Sequence, residues 1–130
     1  MEQIKTAQTW EERYRLIIQA GKNLAKPSES ELAQMQEIHG CEARLWFSAE
    51  PIAEKNAEKN SRPFAFKAYS EARIMNGLLW LLLNEINGKT APELAKFDIS
   101  AFFAHFGIAQ RLSQTRLNGL KQIECLLHSL

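Results

Sequence analysis

Apolar positions recur at helical spacing through the first quarter of the chain, alternate strictly for one short stretch, and return to helical spacing for the second half. Thr9-Trp10-Glu11-Glu12 has capping-box spacing, in which threonine and glutamate satisfy each other's free backbone N–H groups. A helix therefore starts at Thr9, with Trp10, Tyr14, Ile17, Gly21 and Leu24 as its buried stripe and Pro27 as its end. Ser28-Glu29-Ser30-Glu31 opens a second helix with Leu32, Met35 and Ile38 along its apolar edge; it stops near Gly40 or earlier, with Gln36 to His39 already extended. From Cys41 the period becomes two. Cys41, Ala43, Leu45 and Phe47 share one side of a strand, and Glu42, Arg44 and Trp46 the other. Glu50 to Arg62 is poor in apolar residues and reads as a long solvated hairpin. Residues 63–69 alternate again and pair antiparallel with the first strand, the proline falling at the strand start, where a missing donor does least harm.

Ser70 is read as the cap of the most hydrophobic helix, whose apolar positions from Ile74 to Ile86 cover nearly its whole circumference and make it the central core helix. Asn87-Gly88 supplies a left-handed stop. Thr90-Ala91-Pro92-Glu93 is a third capping box with proline in the first turn. Asp98 or Ser100 opens a short helix bearing Phe102, Phe103 and Phe106, closed by Gly107. Ser113 starts the last helix, with Leu117, Leu120, Ile123 and Leu127 on one face. Glycines 77 and 119, inside helices, mark close helix packing. The fold class is α+β: two helices, a small antiparallel sheet, then about four helices.

Composition narrows the classes. The 130 residues fit one domain, 1–130, and 45% hydrophobic against 24% charged residues is a globular balance. A formal charge of +1 recruits neither nucleic acid nor an anionic membrane, and the aromatics are not interleaved with a basic patch. The longest apolar run, Leu78 to Leu83, falls far short of the ~20 residues of a membrane span. Met1 to Lys5 lacks the apolar core of a signal peptide, and two distant cysteines are no secreted disulfide framework. The expectation is a cytoplasmic protein.

Cys41 is the sharpest candidate for chemistry. A thiol reacts as thiolate, given access and nearby cations or helix N-termini; His39 and Arg44 are near in sequence, and Gly40 lets the backbone present or hide the sulfur. The competing reading is a buried cysteine acting as a small hydrophobe. Arg116 is the second oddity. It lies between Leu120 and Ile123 on the wheel and in a first turn, where the helix dipole disfavours a cation. It calls for an anionic partner, either a structural carboxylate such as Glu71, or a thiolate or substrate. His39, Cys41, His105, Cys125 and His128 are possible metal ligands, but no Cys-x-x-Cys pair exists and no metal site is assigned. No phosphate loop, paired-carboxylate motif or serine nucleophile signature occurs.

Several stretches together resemble the SufE/CsdE family of sulfur-acceptor proteins. They are Trp10-Glu11-Glu12-Arg13-Tyr14 with Leu16-Ile17-Ile18 and Gly21; Gly40-Cys41-Glu42 with Trp46; Ser70-Glu71-Ala72-Arg73-Ile74 leading to Gly77-Leu78-Leu79; Gly88-Lys89-Thr90; and Leu112-Ser113 with Arg116, Gly119 and Leu120. The likeness is collinear from Trp10 to Leu127, and 37–42 with Ser70-Glu71 leans towards the CsdE-like branch. It implies a fold related to the iron–sulfur scaffold (IscU-like) proteins, a three-stranded antiparallel sheet with helices mainly on one side. A short first strand then precedes Gly40, and the cysteine sits in the loop between strands one and two. It also implies that Cys41 accepts sulfane sulfur as a persulfide from a pyridoxal-phosphate (PLP) cysteine desulfurase, which it stimulates. The sulfur then passes to an iron–sulfur scaffold or another acceptor. The recipient itself needs no cofactor, because the desulfurase's pyridoxal phosphate cleaves the carbon–sulfur bond. Arg116, Glu71 and His39 are accessory candidates. An adaptor that activates a desulfurase without carrying sulfur is the alternative. Two features depart from the family pattern: a longer hairpin over 48–62 and a histidine before Gly40-Cys41.

Overall fold

The computed structural model describes residues 2–39, 43–52 and 62–130. In chain order the elements are α1 (Glu2–Thr6), α2 (Trp10–Gly21), α3 (Glu29–Gln34), β1 (Gln36–Ile38), β2 (Leu45–Pro51), β3 (Phe64–Ser70), α4 (Arg73–Ile86), α5 (Ala91–Leu94), α6 (Ile99–Ala104), a 3₁₀ turn (Ala109–Arg111) and α7 (Gln114–His128). The sheet is antiparallel in the order β1-β2-β3, with Ile38 opposite Leu45 and Leu45 opposite Ser70.

Local chemistry accounts for most boundaries. Thr9 accepts the Glu12 N–H, Asp98 the Ala101 N–H and Ser113 the Arg116 N–H, while Ser28 with Glu31 and Thr90 with Glu93 form full capping boxes. Gly88 and Gly107 take φ of 88° and 70°, the left-handed region that ends helices. β1 replaces the end of the second predicted helix: after Gln34 the chain turns extended at Met35.

The sheet's inner face carries Ile38, Leu45, Phe47, Phe66 and Ala68, all buried. Phe47 stacks on Phe66 at 5.7 Å between ring centroids. α4 packs against β3 and α7 against β1, so the long helices cover this face. α4 buries nine of its fourteen residues, as expected of the central helix. The reverse face carries Glu37, Trp46, Lys67 and Tyr69, in the alternation expected of a sheet with one covered face.

Ser70 does not cap α4. Its pairing with Leu45 draws it into β3, and the helix starts at Arg73 after Ala72, with no side-chain cap. The Ser70 hydroxyl instead donates to the Arg44 carbonyl (2.8 Å) and accepts the Ala72 N–H (3.2 Å). Likewise β2 begins at Leu45, so Ala43 and Arg44 precede the strand that their alternation suggests. The outer edge of β3 is closed by side chains and loops: Asn87 accepts the Phe66 N–H (2.6 Å), Asn76 the Ser70 N–H (2.7 Å) and the Lys89 carbonyl the Phe64 N–H (2.9 Å). Those bonds blunt an edge that could otherwise pair with another chain.

Candidate functional site

The site is built on the connection between β1 and β2. Ile38 faces Leu45, so this connection comprises residues 39–44. Cys41 falls within it by sequence, and with Gly40 and Glu42 it lies outside the described residues. What the structure describes is the frame around it.

Arg44 is the hub of that frame. Its Nη2 donates to Glu37 Oε1 at 2.9 Å, its Nε lies 3.8 Å from Glu71 Oε1, and its guanidinium sits over the Trp46 ring at 4.6 Å. Trp46 in turn stacks on Tyr69, centroids 6.3 Å apart with an interplanar angle of 26°. Strand register explains the arrangement, because Glu37, Trp46 and Tyr69 form one row across the reverse face of the sheet. The hydrogen bond from Arg44 holds the Glu37 carboxyl below the ordinary carboxylate range, and that same bond raises Arg44. The Arg44 charge is thus committed to two carboxylates and a ring. Beside Trp46 and Arg44 runs an open groove of about 580 Å³, whose other wall is Glu29, Leu32 and Ala33 of α3.

His39 stands at the entry of the connection with an exposed side chain, its Nδ1 3.9 Å from Glu37 Oε2. Its carbonyl accepts a hydrogen bond from the Gln122 side chain on α7. At the exit, the Arg44 carbonyl accepts from the Ser70 hydroxyl and from the Glu71 N–H (3.1 Å). Both described ends of the connection are therefore held through backbone carbonyls by elements remote in sequence.

The predicted accessory residues come from different parts of the chain. The structure brings His39 and Glu71 to the Arg44–Glu37 frame. Arg116 is half-buried in the first turn of α7, where its N–H is the one that Ser113 accepts. Cys125 is a free, exposed thiol on α7, and His128 places Nε2 2.8 Å from the Phe97 carbonyl oxygen. Among the described residues no three His, Cys, Asp or Glu side chains converge as a metal-binding group. No helix among them is long and apolar enough to cross a membrane. Glu37, Gln122 and the new use of Ser70 have no signal in the sequence. Glu37 lies seven residues from Arg44, a spacing with no meaning until the hairpin forms, and Gln122 sits off the apolar stripe of α7.

Known proteins resemble this chain along nearly its whole length. A family model described as "SufE: Fe-S metabolism associated domain" matches residues 1–129. An uncharacterised SufE-like protein of Haemophilus influenzae is 63% identical over 123 residues, spanning 95% of this chain and 92% of that protein. The sulfur acceptor protein CsdE of Escherichia coli is 38% identical over 114 residues, 88% of this chain and 73% of that one. The solution structure of a hypothetical protein from Thermus thermophilus has the same fold, with a TM-score of 0.70 at 15% identity, covering 98% of this chain and 87% of that one. The chain belongs to the SufE family.

Proposed function

We propose that this protein is a sulfur acceptor that takes sulfane sulfur from a PLP-dependent cysteine desulfurase as a persulfide on Cys41. It stimulates that desulfurase and relays the sulfur to an iron–sulfur scaffold or another acceptor in the cytoplasm. The observation that carries this reading is the coincidence of two facts. The chain is 38% identical along most of its length to a protein named as a sulfur acceptor, and its Cys41 falls in the connection whose ends are tied to α7 and to the β3–α4 junction.

The chemistry is a relative of thiol–disulfide exchange. The Cys41 thiolate attacks the outer sulfur of the desulfurase's Cys–S–SH group. A bond forms between Cys41 Sγ and that sulfur as the bond to the desulfurase cysteine breaks. The electron pair departs with the desulfurase cysteine as its thiolate, and the proton stays on the transferred sulfur. Cys41 sulfur is formally oxidised and the desulfurase sulfur reduced by the same amount, so no outside oxidant takes part. In this reading Arg116, Glu71 and His39 assist at the site without bonding to the transferred sulfur.

Desulfurase turnover tests the proposal against the adaptor alternative. Alanine or sulfide release by a cysteine desulfurase is followed with L-cysteine, with and without this protein. Stimulation that disappears with Cys41→Ser supports sulfur acceptance; stimulation that survives undiminished establishes an activator whose thiol is incidental.

A further inference from the structure

We propose that Ser70 and Gln122 are positioning residues for sulfur transfer, one at each end of the connection that contains Cys41. The inference rests on the sulfur-acceptor reading and goes beyond it. Ser70 is the buried polar side chain among the described residues, only 1% exposed. Its hydroxyl is spent on the exit of the connection, donating to the Arg44 carbonyl at 2.8 Å. Its own backbone is locked from both sides by the Asn76 amide of α4, which accepts the Ser70 N–H at 2.7 Å and donates to the Ser70 carbonyl at 2.8 Å. The exit is thereby anchored to the central core helix. The entry is anchored separately, by the exposed Gln122 side chain of α7 donating to the His39 carbonyl.

The geometry of sulfur transfer gives these anchors a purpose. The attacking thiolate, the outer sulfur and the leaving sulfur must be aligned, and a displacement of about 1 Å can lower such a rate by ~10²-fold. Fixing a backbone position in advance spares the entropy of ordering it on docking, and the carbonyls of His39 and Arg44 are fixed to the scaffold before the partner arrives. Because both side chains donate to backbone carbonyls, each acts on the rate within the complex rather than on its formation.

The test uses full-length protein, a cysteine desulfurase and L-cysteine, with the rate of Cys41 persulfide formation measured against acceptor concentration. Gln122→Glu keeps the shape of an exposed side chain and removes the N–H donor; Ser70→Ala removes the buried hydroxyl. Each variant is expected to lower the maximal rate about tenfold while the half-saturating concentration stays within about twofold of the parent. Gln122→Lys, which retains a donor, is expected to recover most of the loss. Maximal rates at the parental level in both variants overturn the proposal. So does a rate that falls only in proportion to the folded fraction seen by circular dichroism. If the parent itself takes no sulfur on Cys41, the sulfur-acceptor reading fails and this inference fails with it; parental transfer with unimpaired variants defeats the positioning role alone.

Discussion

Gly21 on α2 and Gly77 on α4 meet backbone to backbone: a methyl group on Gly21 would lie 2.6 Å from the Gly77 amide nitrogen and 3.2 Å from the Arg73 carbonyl oxygen. A methyl on Gly77 would run into the carbonyl of Ile17. No flexible side chain can give way there, so the helices hold this distance only while both positions lack a Cβ. Gly77→Ala is predicted to destabilise by about 1–3 kcal/mol despite alanine's better helix propensity. Thermal unfolding checks this, at roughly 3–6 °C for each kcal/mol in a chain of this size.

Arg13 holds the N-terminal segment in place. Its Nε donates to the Ile4 carbonyl (3.0 Å) and its Nη2 to the Ala7 carbonyl (2.8 Å), with Nη1 3.5 Å from the Gly107 carbonyl. Five residues of α1 cannot sustain a helix alone. Arg13→Ala is predicted to free residues 2–7, raising their amide hydrogen exchange well above that of α4. Arg13→Lys, with one ammonium in place of a fork, is expected to restore little of the protection.

Glu124 of α7 closes the start of α6, accepting the Ile99 N–H at 2.7 Å. Asp98 satisfies the Ala101 N–H at the same end. Glu124→Ala leaves a part-buried donor without its acceptor and is predicted to cost about 1 kcal/mol. Glu124→Gln keeps an acceptor oxygen and is predicted to cost less. Urea denaturation of the two variants separates these outcomes.

Three carboxylates contribute to the pH dependence of stability. Glu37 is held low by its hydrogen bond from Arg44, and Glu31 and Glu93 by capping hydrogen bonds from the Ser28 and Thr90 backbones. A carboxylate whose folded value is depressed stabilises the fold above its unfolded value, about 4.5, and that contribution is lost as pH falls through the folded value. Since all three are open to solvent and screened by it, the Tm is predicted to fall modestly as the pH is lowered below about 4.5. Glu37→Gln lowers the Tm at pH 7, and its difference from the parent shrinks as the pH is taken down. A difference that stays constant with pH contradicts the assignment.

The parts of this fold that a reader finds in the sequence are those decided locally. Thr9, Ser28, Thr90 and Ser113 mark helix starts because a cap is settled within four residues, and Asn87-Gly88 marks an end for the same reason. The apolar girth of α4 identifies it as central without any partner in view. Ser70 misleads because a partner decides it: pairing with Leu45 outweighs its capping tendency. β1 is three residues long, too short for a period: the pattern gives only an extended run over 36–39, and the family resemblance makes it a strand. α1 carries no helix signal of its own because Arg13, and not its own pattern, secures it. At the site, Cys41 stood out as chemistry, yet the Glu37–Arg44–Trp46 stack and the Gln122 hydrogen bond to His39, 83 residues away, exist only once the hairpin and α7 are in place.

Arg116→Ala is predicted to slow sulfur acceptance more than it lowers the Tm, since Arg116 is only half-buried where Leu120 and Ile123 of the same helix are fully buried in the core. Equal losses in both measurements assign Arg116 to stability alone.

Mass spectrometry of the peptide containing Cys41, after incubation with a cysteine desulfurase and L-cysteine, tests the central claim most directly. The account predicts an added mass of one sulfur atom on that peptide, removed by dithiothreitol and absent in Cys41→Ser. An unmodified Cys41 peptide, or the same sulfur recovered on Cys125 in its place, contradicts it.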